Sequence, residues 1–223
     1  NEDVREDLLS TLTSKEIAED VIQGLESDDA ADVVQDLSEE KLEEVFSFVE
    51  DEEAKSDVID LLTYEEGTAG ALMAKELVRV DETLTVARAI GEIRAQADNI
   101  DQLYTVYVVN SKGCLTGRLS LKNLLLNAPS TRTLISKLKH SDDLVYVKDT
   151  DPEDIVVSLM EKYDIVALPV VDEKGILVGR ITIDDAVDVI IEEAEKDYQL
   201  ASGISEDVES NDSVLALTRA RLP

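Results

Sequence analysis

Residues 165–191 read IVALPVVDEKGILVGRITIDDAVDVII. The stretch opens on an apolar run over 165–171, broken only by Pro169. A polar turn, Asp172-Glu173-Lys174-Gly175, follows, and Gly175 supplies a backbone able to take φ > 0. A second β-branched run over 176–183 returns from the turn. Two such runs joined by a short glycine-containing turn predict a hairpin. Asp184 or Asp185 then precedes a helical pattern with Ala186, Val187, Val189, Ile190 and Ile191 inside it. Either aspartate is suited to accept from the free N–H groups of a first helical turn.

The unit occurs twice. Residues 105–126 read TVYVVNSKGCLTGRLSLKNLLL. Val108-Val109-Asn110-Ser111-Lys112-Gly113 aligns with Val170-Val171-Asp172-Glu173-Lys174-Gly175, and Gly117-Arg118-Leu119-Ser120 aligns with Gly179-Arg180-Ile181-Thr182. A short strand and a helix precede each copy, over 78–80 and 86–95 in one and over 145–147 and 155–163 in the other. A repeated β-α-β-β-α unit resembles a pair of CBS domains. In that family the glycine, Thr or Ser, and Asp after the turn often contact a ribose.

The net charge is −30 over 223 residues, and its distribution is uneven. Residues 1–66 hold 24 acids and 4 bases, residues 67–183 hold 16 and 14, and residues 184–223 hold 11 and 3. The repeat is nearly neutral and the acid lies on both sides of it. Salt adaptation would spread acid everywhere, so it explains this pattern less well than a local purpose does. Nucleic acid is not an expected partner, because phosphates need Lys and Arg.

Apolar residues make up 43% of the chain, enough for real cores. No run of apolar residues is long enough to span a bilayer. The single Cys114 excludes an internal disulfide, and the lone His140 excludes a His-based zinc site or a His-dependent triad. There is no Gly-rich phosphate loop and no activated nucleophile, so an enzyme is not expected. An intracellular setting fits best, and a chain starting at Asn1 is expected to be part of a longer one.

Residues 1–66 read as helical throughout. Leu8, Leu9, Leu12, Ile17, Val21, Ile22 and Leu25 recur at helical spacing. Ser27-Asp28-Asp29 and Ser38-Glu39-Glu40-Lys41 are helix entries, and a further helix carries Val58, Ile59, Leu61 and Leu62. Asp28 and Asp32 are four apart and share one helix face. They are either a solvated acidic face near a helix N-terminus or half of a divalent-cation site that another domain completes. Mg²⁺ suits the second reading, because it keeps several waters and needs only one or two carboxylates.

The junction YEEGTAGALM (residues 64–73), the repeat, and DDAVDVIIEEAEKD (residues 184–197) together resemble the cytosolic part of MgtE-type magnesium channels. LESDDAADVVQDL (residues 25–37) resembles the N domain of that family, shortened at its start. The resemblance implies an α+β fold with four parts: a helical acidic N domain (1–68), a first CBS domain (69–130), a second CBS domain (131–194) and a connecting helix (195–223) leading to a membrane domain. SVLALTRARLP (residues 213–223) starts a helix whose Arg219 and Arg221 fit the positive-inside rule at such a boundary. The implied location is the cytoplasmic face of the cell membrane, in a two-fold homodimer formed through the CBS domains.

Carried over by position, the implied Mg²⁺ ligands are Asp28, Asp32, a backbone carbonyl near Gly70 or Ala71, Asp172, Asp184, Asp188, Asp207, Glu209 and Asp212. Lys174 stands where the family often has an acid, which counts against the position around Asp172. Asp184 is equally readable as a helix N-cap. The implied function is feedback control: acidic faces repel one another until Mg²⁺ bridges them, and closure shuts the pore. The alternative is adenine-nucleotide sensing. For that, Gly179, Thr182 and Asp185 keep ribose-binding spacing, whereas the first unit has Gly117, Ser120 and Asn123 and lacks the aspartate. A CBS module regulating some enzyme, or an acidic scaffold, is the third reading.

Overall fold

Short helices with local start signals build the acidic first third. The structure, a computed structural model, describes residues 9, 11–97, 100 and 102–201. Helix α1 (Ser14–Glu16) runs straight into a π-helical segment (Ile17–Ile22), followed by α2 (Ser27–Val34), α3 (Glu39–Phe48) and α4 (Glu52–Leu61). Thr13 and Glu16 form a capping box: the Glu16 N–H donates to Thr13 Oγ1 (3.3 Å) and the Thr13 N–H donates to Glu16 Oε2 (2.8 Å). That box puts Thr13 in extended backbone, so the single helical pattern read across Leu8 to Leu25 is broken there. Ser38 Oγ accepts from the Lys41 N–H, as its spacing predicts, and Asp51 Oδ1 accepts from Glu53 and Ala54. Glu26 is the N-cap of α2, yet its side chain makes no cap bond.

The rest of the chain folds the same way twice. The first copy is β1 (Val78–Asp81), α5 (Val86–Ala97), β2 (Val106–Val109) and β3 (Leu115–Leu119). The second is β4 (Val147–Lys148), α6 (Glu153–Tyr163), β5 (Ala167–Val171), β6 (Leu177–Thr182) and α7 (Ile183–Ala201). Each sheet has the order β1-β2-β3 or β4-β5-β6, with a parallel first pair and an antiparallel hairpin. The register irregularity also repeats, between Val108 and Val109 and between Val170 and Val171. The first copy closes on a π-helical turn (Asn123–Asn127) where an α-helix is expected. Pro129 lies two residues beyond its end and disfavours helical backbone just before it.

The hairpin turns are matched in detail. Gly113 and Gly175 take φ of 80° and 79°, as predicted for Gly175. Asn110 Oδ1 accepts from the Lys112 and Cys114 N–H groups, and Asp172 Oδ1 accepts from those of Lys174 and Ile176. The tips also pair with each other, the Leu115 N–H donating to Gly175 O (2.9 Å) and the Leu177 N–H to Gly113 O (3.1 Å).

One continuous core joins the helical segment to the second copy. Ile17, Ala18, Val34 and Val58 belong to it together with Val147, Val156, Leu168 and Ile181, and Ala69 and Met73 of the junction lie between them. The first copy has its own core, built on Val78, Val80, Ala89, Val106 and Ile135. The junction runs along the second copy before entering β1. Its Ala69 and Gly70 N–H groups donate to Asp151 O and Asp149 O (both 2.8 Å), and Ala74 exchanges both backbone bonds with Arg180.

The aligned glycines serve this close packing. A Cβ on Gly179 would lie 2.8 Å from Ala74 O and 2.5 Å from Met73 Sδ, and one on Gly117 would lie 2.9 Å from His140 O. Gly179→Ala is therefore expected to lower the free energy of urea unfolding by about 2 kcal/mol. Gly91→Ala on α5, whose added methyl would meet nothing within 4 Å, is expected to raise it by up to about 1 kcal/mol. Equal midpoints for the two variants in the same titration would contradict this account.

Candidate metal-binding cleft

Helix α2 carries its acids toward the second copy. A cleft of about 160 Å³ is lined by Asp28, Asp29 and Asp32 from α2, Glu66 and Ala71 from the junction, Glu153 from α6, and Asp185, Asp188 and Glu192 from α7. Its lining contains no Lys or Arg. Helical period sets this arrangement. Asp28 and Asp32 are one turn apart on α2, Asp185, Asp188 and Glu192 are three and four apart on α7, and each set shares one face. Glu153 enters because α6 starts beside the junction, its N–H donating to Gly67 O (3.1 Å).

The carboxylates perturb one another. Asp28 is 9% exposed, and burial, with the Asp185 charge beside it, pushes its pKa up to about 8. Asp29 is raised by burial and by the charges of Asp184 and Asp188. Burial also raises Asp185, against the hydrogen bonds it accepts from Thr182. Uncompensated negative charge at partly buried positions calls for a cation or a proton. Among the described residues no three His, Cys, Asp or Glu side chains gather closely enough to hold an ion directly. An ion that keeps water in its shell and takes only one or two carboxylates, as Mg²⁺ does, does not require such a group. Ala71 lines the same cleft, and its carbonyl is an oxygen donor of the kind such an ion accepts.

Of the residues assigned to metal from the sequence, Asp28, Asp32, Ala71 and Asp188 come together here. Asp184 stands at the edge, accepting from Thr182 Oγ1 and acting electrostatically on Asp29. It does not cap α7, and neither does Asp185 as an N-cap residue. Asp185 Oδ2 instead reaches back to the Thr182 N–H (2.7 Å), because α7 begins at Ile183 and Thr182 is the residue before it. Asp172 lies away from the cleft, in the β5–β6 turn. Its counterpart Asn110 does the same turn work without a charge. Asp207, Glu209 and Asp212 lie outside the described residues.

The residues at ribose-binding spacing are engaged within the chain. Gly179 packs on the junction, Thr182 Oγ1 donates to Asp185 and Asp184, and Asp185 faces the acidic cleft. An open cleft of about 240 Å³ lies instead between the two copies, lined by Tyr107 and Arg118 of the first and by Tyr163, Ile165 and Pro169 of the second. The sequence reading missed Asp29, Glu66, Glu153 and Glu192 as cleft residues. Asp29 adjoins Asp28, and Glu153 is in a helical first turn after Pro152, but nothing local says which helix ends meet.

Residues 1–67 match the family described as the MgtE intracellular N domain, and residues 69–129 and 135–192 each match the CBS domain family. The magnesium transporter MgtE of Thermus thermophilus is 40% identical over 177 residues, which is 76% of this chain and 38% of that protein. A crystal structure of the soluble part of a magnesium transporter superposes with a TM-score of 0.76 at 32% identity, covering 85% of this chain and 72% of that one. The cytosolic domain of the Mg²⁺ channel MgtE in complex with ATP gives 0.68 at 34% identity, covering 82% and 78%. The chain spans about two fifths of the length of the curated relatives it matches. With its helical segment, its repeated sheets and its junction all inside these matches, the chain belongs to the MgtE family of magnesium transporters and carries that family's N domain followed by its CBS pair.

Proposed function

We propose that this chain is the cytosolic Mg²⁺-sensing regulatory part of a magnesium channel or transporter, which closes the pore when intracellular Mg²⁺ collects between its acidic faces. The observation that carries this reading is the convergence of carboxylates from α2, the junction, α6 and α7 on one cleft with no basic residue in its lining. In the metal-free protein these charges oppose docking of the N domain. An ion between them favours the docked form by its differential affinity. The metal ligands are Asp28, Asp32, Ala71 and Asp188, with Asp184 at the rim; Asp172, Asp207, Glu209 and Asp212 stay candidates for further ions.

The assembly is a homodimer at the cytoplasmic face of the cell membrane, joined to the transmembrane domain of the same protein through the region beyond α7. A second copy would cover apolar side chains that α7 and its surroundings leave exposed, among them Val187, Ile190, Ile191, Ile155 and Tyr163. Adenine nucleotide is a second, compatible ligand. Its support is the open cleft at Arg118 and Tyr107, together with the ATP complex of the related cytosolic domain. Gly179, Thr182 and Asp185 are the other nucleotide candidates, available only where the N domain and junction leave them.

Two measurements test this. Calorimetric titration with Mg²⁺ is expected to show binding in the millimolar range that is lost in the Asp28→Ala plus Asp32→Ala variant; equal heats would sink the assignment. Asp28 sets the pH dependence. Its pKa is about 8 when docked, against an ordinary 3.8, so the docked form binds a proton that the undocked form lacks between those values. Metal-free docking therefore weakens as pH rises toward 8, by up to about 1.4 kcal/mol per unit, and Mg²⁺ binding near neutral pH releases that proton. Titrations in buffers of different ionisation enthalpy should give different apparent heats for the natural protein and a smaller buffer dependence for Asp28→Asn.

A further inference from the structure

Arg180 breaks the apolar pattern of β6, and its side chain is only 4% exposed. Its Nη2 donates to both carboxylate oxygens of Glu26 (2.8 Å each), and its Nε donates to Glu76 O (2.5 Å). The Tyr104 ring centroid is 5.8 Å from its Cζ. Four parts of the chain meet at this group: the N-cap of α2, the junction, the second CBS unit and, through Tyr104, the first. Glu26 is free to make this bond because the start of α2 is served from elsewhere. Glu76 accepts from the Ser27 N–H (3.1 Å) and from Ser27 Oγ (2.8 Å), and Ser27 Oγ accepts from the Lys75 N–H (2.8 Å). Lys75 in turn pairs with Asp60 on α4.

The aligned position in the first unit shows what this network replaces. Arg118 pairs with Tyr107 across its hairpin as Arg180 pairs with Pro169. Arg118 is exposed and lines the open cleft, whereas Arg180 is covered by the N domain. Asp28 and Asp32 follow Glu26 on the same helix, so the contact and the acidic cleft are two ends of one lever.

We propose that the Glu26–Arg180 pair, with Ser27 held by Glu76, is a metal-independent latch that positions α2 on the second CBS unit and thereby sets the Mg²⁺ concentration at which the N domain docks. The latch supplies attraction where the cleft supplies repulsion. Metal then has to provide only the difference between docked and undocked states. Arg180 is a positioning residue and touches no ion. Its effect on the metal threshold rests on the sensing function proposed above, while its effect in the metal-free protein does not.

The test places spin labels at the exposed positions Ser47→Cys on α3 and Ser158→Cys on α6, in a Cys114→Ser background. Distances are read in EDTA and through a Mg²⁺ titration. Glu26→Gln keeps shape and removes the charge from a half-exposed side chain, so the fold survives. It is expected to reduce the docked population in EDTA and to raise the Mg²⁺ midpoint about tenfold, with the natural distance recovered at saturating Mg²⁺. Adding Glu26→Gln to Arg180→Gln is expected to move the midpoint little further. If Glu26→Gln leaves both the EDTA distribution and the midpoint unchanged, the latch is wrong, whatever Arg180→Gln does. If Mg²⁺ moves no distance in the unsubstituted protein, the sensing function fails, and the EDTA populations still decide the latch.

Discussion

Burying like charges against each other is the constraint on which this architecture turns. Asp28 and Asp185 face one another across the contact between the N domain and the second CBS unit, the lining of the cleft holds no Lys or Arg, and the nearest cation to act on Asp185 is Arg180 behind it. A protein selected only for stability would place a Lys there or move the acids to the rim. Lys is available nearby and is used elsewhere: Lys75 pairs with Asp60, and Lys139 with Glu82. The cleft lining is thus left without positive charge, and a mobile ion can occupy a position that the chain leaves negative.

The scaffold around the cleft holds position without using the carboxylates that face it. The junction is tied to the second unit by backbone bonds from Ala69, Gly70 and Ala74. Gly179 lets that strand approach to a distance no side chain would allow. The hairpin tips are joined through Gly113 and Gly175. These contacts are uncharged and are made by backbone groups and glycines rather than by the acids of the cleft.

The fold was legible wherever the signal was local. The hairpin turns, the φ > 0 glycine at Gly175, the cap at Ser38, the start of a helix at Ser27 and the repeat itself follow from residue type and spacing. The cleft was half legible. Asp28, Asp32 and Asp188 were marked by type and by family resemblance, but the partners that complete the lining, Glu66, Glu153 and Glu192, depend on where helix ends meet in space. Asp185 stands at ribose-binding spacing after Gly179 and Thr182, and only the tertiary contact with α2 reveals that it also has acidic neighbours. Arg180 carried a readable sign, a lone charge inside a β-branched run. Its aligned twin Arg118 is exposed, so nothing in the sequence distinguished a buried ion pair from a surface residue.

The shared core has a consequence for biosynthesis. The helical segment shares one core with Val147, Leu168 and Ile181, with Ala69 and Met73 of the junction in the same cluster, and those residues leave the ribosome long after α2 has. The first CBS unit, with a core of its own, emerges in between and can close early. The N-terminal helices pack first on one another, α2 on α4 and α1 on α3, and dock on the second unit only after translation reaches β6, so the intervening unit is a spacer that has to fold without capturing them. The dense acid of residues 1–66 suits that interval, since mutual repulsion between nascent chains keeps the waiting helices apart.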